Sequence, residues 1–245
     1  MHQSRATETQ GNHDLFEAFN DSGCPICTLT LEAVSRYMTS TNYDSVSDPE
    51  IRKQFETSHA FCNFHAHQWL KEAFILGTAQ IYRDVLLVTY ADLRRRSFQA
   101  VSPGQRIGSL FGRKKAEPDV NGSLGQPTAP CPACAILVET ETRLLRTLLI
   151  GLGEVEFRDA YDGSDGLCVP HLRTGLADSP HQKAFDSLKQ RAIGAQETLL
   201  TLLDESIRKH DYRFRHEPAG EESGSAARAV SYVAGASGAA KPVER

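Results

Sequence analysis

Apolar residues recur along this chain at the three-to-four-residue step of helices, and no strong strand run or hairpin signature appears. Behind Cys24, the positions Ile26, Leu29, Ala33, Val34, Tyr37 and Met38 fall on one helical face. Behind Cys134 a similar stripe runs through Leu137, Val138, Leu144, Leu145, Leu148 and Leu149, broken by Glu141. Short amphipathic segments precede Cys62 and Cys168, the first opened by the capping pair Asp48-Pro49. Long helices are expected over residues 78–98 and 181–210, the second with a seam of Phe185, Leu188, Ala192, Leu199, Leu203 and Ile207. A last helix is expected over residues 226–233. The pattern predicts an all-α fold.

The order of segments occurs twice. CPIC-x34-CNFH, from Cys24, is followed by CPAC-x33-CVPH, from Cys131, with offsets of 107 and 106 residues at the two pairs. Glu50 aligns with Glu156, Ile51 with Phe157, Arg52 with Arg158, Phe55 with Tyr161 and Ser58 with Ser164. Self-similarity at a fixed period reads as one supersecondary unit duplicated. The units would occupy residues 13–99 and 131–218, the second ending in a C-terminal strap. Residues 100–130 join them, and their five glycines, four prolines and three serines mark a linker. Residues 1–12 read as a flexible N-terminus and 219–245 as a partly disordered tail.

All six cysteines belong to this pattern, and the lone cysteine of each half is followed three positions later by a histidine. A Cys-x-x-Cys pair presents two sulfurs to one ion at about 2.3 Å, and Cys-x-x-His at another helix start completes a tetrahedron. Each unit is expected to fold its intervening residues as a helical hairpin and close its own quartet. The quartets are then Cys24, Cys27, Cys62 and His65, and Cys131, Cys134, Cys168 and His171. Mixed thiolate and imidazole ligands suit zinc. Four protein ligands leave no open position, so two structural rather than catalytic zinc ions are expected. Each centre would carry a charge of about −1 and need N–H donors or basic residues nearby. An iron–sulfur centre is the chemical alternative. A zinc-thiolate redox sensor would use the same residues, peroxide releasing zinc and coupling Cys24 to Cys27 and Cys131 to Cys134.

The motifs CPIC, CPAC, CNFH and CVPH, with the segment from Lys209 to Pro218 (KHDYRFRHEP), resemble a family of uncharacterised bacterial proteins. That family is a domain of unknown function with a doubled CPxC…CxxH framework and a KHDYRFRHEP-like ending. The resemblance covers residues 14–233 and implies a bacterial origin and a helical fold. It assigns no activity.

Beyond the cysteines, the densest chemistry lies in Asp211, Arg213, Arg215, His216 and Glu217. Alternation there would turn Tyr212 and Phe214 to one face and the arginines to the other. One reading is an enzyme whose site lies between the repeats, binding an anion or carboxylate with His216 and Glu217 as proton-transfer groups. The other is a strap across the helices, its arginines paired with Asp159 or Asp162. Trp69, Leu70, Phe74 and Ile75 read as core, and His59, His67 and His181 as surface residues or supports of the ligands. Arg94, Arg95 and Arg96 read as the solvated end of a helix, and Arg113, Lys114 and Lys115 as part of a loop.

Composition narrows the function classes. Hydrophobic residues at 40% and charged residues at 24% are ordinary for a soluble protein. A formal charge of −4 gives no electrostatic case for a nucleic-acid partner. No apolar run approaches the roughly 18 residues of a membrane span, and the polar start lacks a signal peptide's apolar core, so a cytoplasmic location is expected. No nucleophile elbow, phosphate loop, dinucleotide fingerprint or HExxH appears. The expected function is that of a zinc-stabilised helical binding or scaffold protein with a protein or small-molecule partner.

Overall fold

The computed structural model describes residues 11–45, 48–96, 126–214 and 216–239, and these contain helices and turns but no strand. The chain is helical over 11–18 (α1) and then forms α2 Pro25–Ser40, which ends in a π turn at Thr41–Ser45. α3 Pro49–Ser58, α4 Asn63–Glu72 and α5 Ile75–Arg95 follow. After residue 126 come α6 Pro132–Gly151, α7 Val155–Gly163, α8 Val169–Ala177, α9 Gln182–Lys209 and α10 Ser225–Ala234. The caps expected from the sequence are present: Asp48 accepts from the Glu50 N–H at 2.7 Å, and Pro49 opens α3. No helix among the described residues is long and apolar enough to cross a membrane.

Two compact units result, and each draws on both halves of the sequence. One contains the chain up to Arg36 together with Ile136 onward; the other is Tyr37–Ala135. The chain changes unit inside α2 and again inside α6.

In the first unit, Leu15, Phe19 and Ile26 pack with Leu144, Leu145, Leu148 and Leu149 of α6 and with Phe157 and Tyr161 of α7. Phe157 meets Phe16 and Phe19 edge-on at 5.0 and 5.3 Å, the arrangement ring quadrupoles favour. Gly151 lets this ring close on α6, since a Cβ there would lie 2.7 Å from Phe157. The first half of α9 is held by Ala184, Leu188 and Ala192. Its expected seam weakens beyond them: Leu199 and Leu203 are half-buried, while Phe185 and Ile207 are exposed.

In the second unit, α3 packs on α5, with Phe55, Phe61 and Trp69 stacked in sequence at 5.2 Å spacings. Trp69 is core, as expected, and donates from Nε1 to Thr78 at 3.0 Å. Leu70, Phe74 and Ile75 are not; all three are exposed, and Phe74 lies edge-on to Tyr43 at 4.9 Å. Trp69 shares its face of α4 with His65, one turn earlier, which turns Leu70 outward.

The helix expected over 226–233 is α10, which docks on α8 and α9. An ionic clasp ties the chain before it to the end of α9. Lys209 Nζ meets Glu222 at 2.9 Å and the Pro218 carbonyl at 2.8 Å, while Arg208 pairs with Glu205 and Glu217. Lys209, helped by the Gly220 amide, holds the Glu222 carboxyl down to about 2. A depressed carboxyl stabilises the docked state at pH above its unfolded value of roughly 4.3, and that contribution is lost as pH falls toward the folded value. Glu222→Gln at neutral pH is therefore expected to speed amide hydrogen exchange across residues 225–239 and to leave α3–α5 unchanged; equal exchange in both proteins would contradict the clasp.

Candidate metal centres

Each of the four Cys motifs occupies the start of a helix. Thr28 donates to the Cys24 carbonyl, Ala66 to Cys62, Ala135 to Cys131 and Leu172 to Cys168, all between 2.8 and 3.1 Å. In every pair the first cysteine is therefore the N-cap, and the second ligand stands at the third helical position. Those two side chains are neighbours across the first turn, the relation that a capping box exploits with Ser/Thr and Glu. Pro25 and Pro132 sit at the first helical position, where a missing N–H costs nothing.

Two such helix starts meet at each centre, and they come from opposite halves of the sequence. Cys24, Cys27, Cys168 and His171 form one cluster; Cys62, His65, Cys131 and Cys134 form the other. This corrects the sequential quartets: each CPxC pair joins the CxxH pair of the other half. The course of the chain is the reason: α2 begins in the first unit and ends in the second, and α6 begins in the second and ends in the first, so the CxxH pair that follows each helix lies in the unit opposite its own CPxC pair.

The geometry suits one ion per cluster. In a tetrahedron with sulfur at about 2.3 Å and nitrogen at about 2.0 Å, neighbouring ligands stand about 3.8 Å (S···S) and about 3.6 Å (S···N) apart. His171 Nδ1 lies 3.4 Å from Cys24, 3.5 Å from Cys27 and 3.1 Å from Cys168, with Cys27 and Cys168 sulfurs 3.6 Å apart. His65 Nδ1 lies 3.3 Å from Cys62, 3.6 Å from Cys131 and 3.3 Å from Cys134, with Cys62 and Cys134 sulfurs 3.7 Å apart. No disulfide is formed.

Without a cation these groups crowd one another. Hydrogen bonds with Cys168 and Cys24, together with burial, push the Cys27 thiol up. Burial and the charges of Cys131 and Cys62 push up Cys134. Burial opposes ionisation of Cys24, yet hydrogen bonds with Cys168, Cys27 and His171 carry it well below the usual thiol range. Burial likewise opposes the charge on His171, but Cys168, Cys24 and Glu141 push it up to about 12. A divalent ion relieves this competition by standing where the shared protons stand.

The surroundings also prepare the sites. Gly23 N–H donates to Asp165 at 2.7 Å, binding the strand of chain before CPIC to that before CVPH. Thr128 and Ala129 N–H donate to the Thr57 carbonyl at 2.8 and 3.1 Å, doing the same before CPAC and CNFH. The aligned serines each bond a carbonyl of the preceding helix, Ser58 donating to that of Gln54, four residues back, and Ser164 to that of Tyr161, three residues back.

The tail contributes a feature the sequence reading missed. Past α10, Gly235 takes φ +84°, and the Ala236 N–H donates to Cys27 Sγ at 3.5 Å. Ala236 and Ala239 pack with Cys27 and Cys168. Only the small-residue composition of that tail hinted at so close an approach.

Other candidates are placed differently. His181 caps α9, its Nδ1 accepting from Ala184 at 3.1 Å; His59 ends α3 at φ +54°, and His67 is exposed. None of the three belongs to a cluster. Residues 211–214 and 216–217 lie in turns and bends rather than in an extended strap: Phe214 donates to Asp211 and Glu217 to Phe214, each at 3.0 Å. Arg213 folds onto Asp211, His216 is exposed, and Glu217 meets Arg208, which also stacks 4.5 Å from the Phe214 ring. Asp162 accepts from Ser187 at 3.0 Å. Arg215, and the basic cluster at Arg113, lie outside the described residues.

All-helical architecture with two Cys3His clusters at helix starts defines a class of protein with two prospective metal centres. The chain belongs to a family of unknown function, DUF6062, whose profile matches residues 12–240. Neither a curated protein nor a solved structure matches it.

Exchange of the halves predicts how ligand variants group. Cys24→Ser and Cys168→Ser should both accelerate hydrogen exchange in α8–α10, and Cys62→Ser and Cys131→Ser should both do so in α3–α5. Grouping Cys24 with Cys62 instead would restore the sequential pairing.

Proposed function

We propose that this chain is a zinc-stabilised helical binding protein, its two units each fastened by one structural zinc ion. The carrying observation is closure: each cluster supplies four protein ligands whose mutual distances match a single tetrahedral ion. Ligand atoms all within 4.8 Å of one another leave room for one ion rather than for an iron–sulfur cluster. The charge of about −1 on such a centre is met by two helix N-termini. Matching caps at Cys62 and Cys168 and matching serines support an origin by duplication of one helical unit.

The binding reading is supported by a cavity of about 480 Å³ beside the first cluster. Leu199, Leu202 and Ala195 of α9 give it an apolar wall, and Arg191 and Arg228 supply two cations. Its one carboxylate, Asp165, is already engaged by the Gly23 amide. This volume falls in the range of small-molecule sites, roughly 300–1,000 Å³, and the lining suits a small molecule with an apolar body and an anionic group.

Purified protein is expected to carry two zinc ions per chain by elemental analysis and to lose most of its helical circular dichroism when they are removed. Zinc binding supplies on the order of 10 kcal/mol of folding free energy in small zinc peptides, so a metal-free chain with full helicity would contradict the structural role. The fluorescent probe 1-anilinonaphthalene-8-sulfonate should bind the zinc-loaded protein one to one. Ala195→Phe, which fills the cavity, should abolish that binding with zinc content unchanged; undiminished binding would overturn the assignment.

A further inference from the structure

The two clusters share a ligand set but differ in what supports it. His171 turns its second nitrogen, Nε2, to the Glu141 carboxylate at 3.4 Å. A carboxylate behind a ligating imidazole fixes the ring and raises its basicity, and losing one typically costs 10–100-fold in metal affinity. His65 Nε2 is buried with no hydrogen-bond partner among the described residues. The residue aligned with Glu141 in the first half is Val34, which cannot supply one.

The sulfurs differ in the same sense. Cys27 receives the Ala236 N–H, and Ala236 and Ala239 cover Cys27 and Cys168. Around the other cluster two cysteines, Cys62 and Cys131, are half-buried, against Cys24 alone in the first. An N–H donor neutralises thiolate charge and a carboxylate behind the imidazole holds the ring, so both differences favour retention at the first cluster.

We infer that Cys62, His65, Cys131 and Cys134 form an exchangeable metal site, which gives up its ion at least tenfold faster than Cys24, Cys27, Cys168 and His171. This rests on the reading of both clusters as zinc centres. The first ion is a permanent fastener, and the second couples the folding of residues 37–135 to zinc supply.

The test uses the zinc-loaded full-length chain challenged with excess 4-(2-pyridylazo)resorcinol, with iodoacetamide pulses mapped by peptide mass spectrometry. The expected release has two phases of one zinc each, and Cys62, Cys131 and Cys134 are alkylated in step with the fast one. Glu141→Gln and Ala236→Pro, which leave all eight ligands in place, should each speed the slow phase about tenfold and spare the fast one. A single phase carrying both ions, earlier alkylation of Cys24, Cys27 and Cys168, or insensitivity of the slow phase to both variants would overturn the inference. Absence of bound zinc at the outset would instead refute the underlying reading, so the two failures are distinct.

Discussion

Four helices of this protein begin at a cysteine of a prospective metal centre, and that constraint governs the course of the chain. A helix start leaves N–H groups unpaired and carries partial positive charge. A thiolate is the group such an end stabilises, and Cys-x-x-Cys and Cys-x-x-His place two ligands across its first turn. Two helix starts per ion supply both the tetrahedron and the compensation for its excess negative charge.

From that arrangement the exchange of halves follows. A pair of ligands fixed at one end of a long helix is carried away from whatever the helix leads to. α2 leaves the first unit for the second and α6 leaves the second for the first, so neither half closes on itself. Each unit is finished by a segment from the other half, and the chain is fastened reciprocally. Loss of one ligand then harms a compact unit rather than a stretch of sequence.

The helical class and all eight cluster residues were legible because they rest on local signals: a 3.6-residue apolar period, proline at a helix start and ligands three apart. α10 and the long α9 were legible for the same reason. Which CxxH closes on which CPxC was not, because it depends on which unit each long helix delivers the chain to, and no local signal marks that. Leu70, Phe74 and Ile75 looked like core by composition, yet their register on α4 and at the start of α5 turns them outward. The turn at Asp211–Phe214 looked extended because alternating aromatic and basic residues mimic a strand, whereas Asp211 captures Arg213 locally. The approach of Ala236 to Cys27 spans more than two hundred residues of sequence, and a backbone N–H carries no signature of its own.

Cadmium-113 substitution followed by NMR reads the central arrangement most directly. The account predicts two cadmium resonances, each in the range of three sulfurs and one nitrogen. One should couple to the β-protons of Cys24, Cys27 and Cys168, and the other to those of Cys62, Cys131 and Cys134. Coupling of one ion to Cys24, Cys27 and Cys62 together would contradict it.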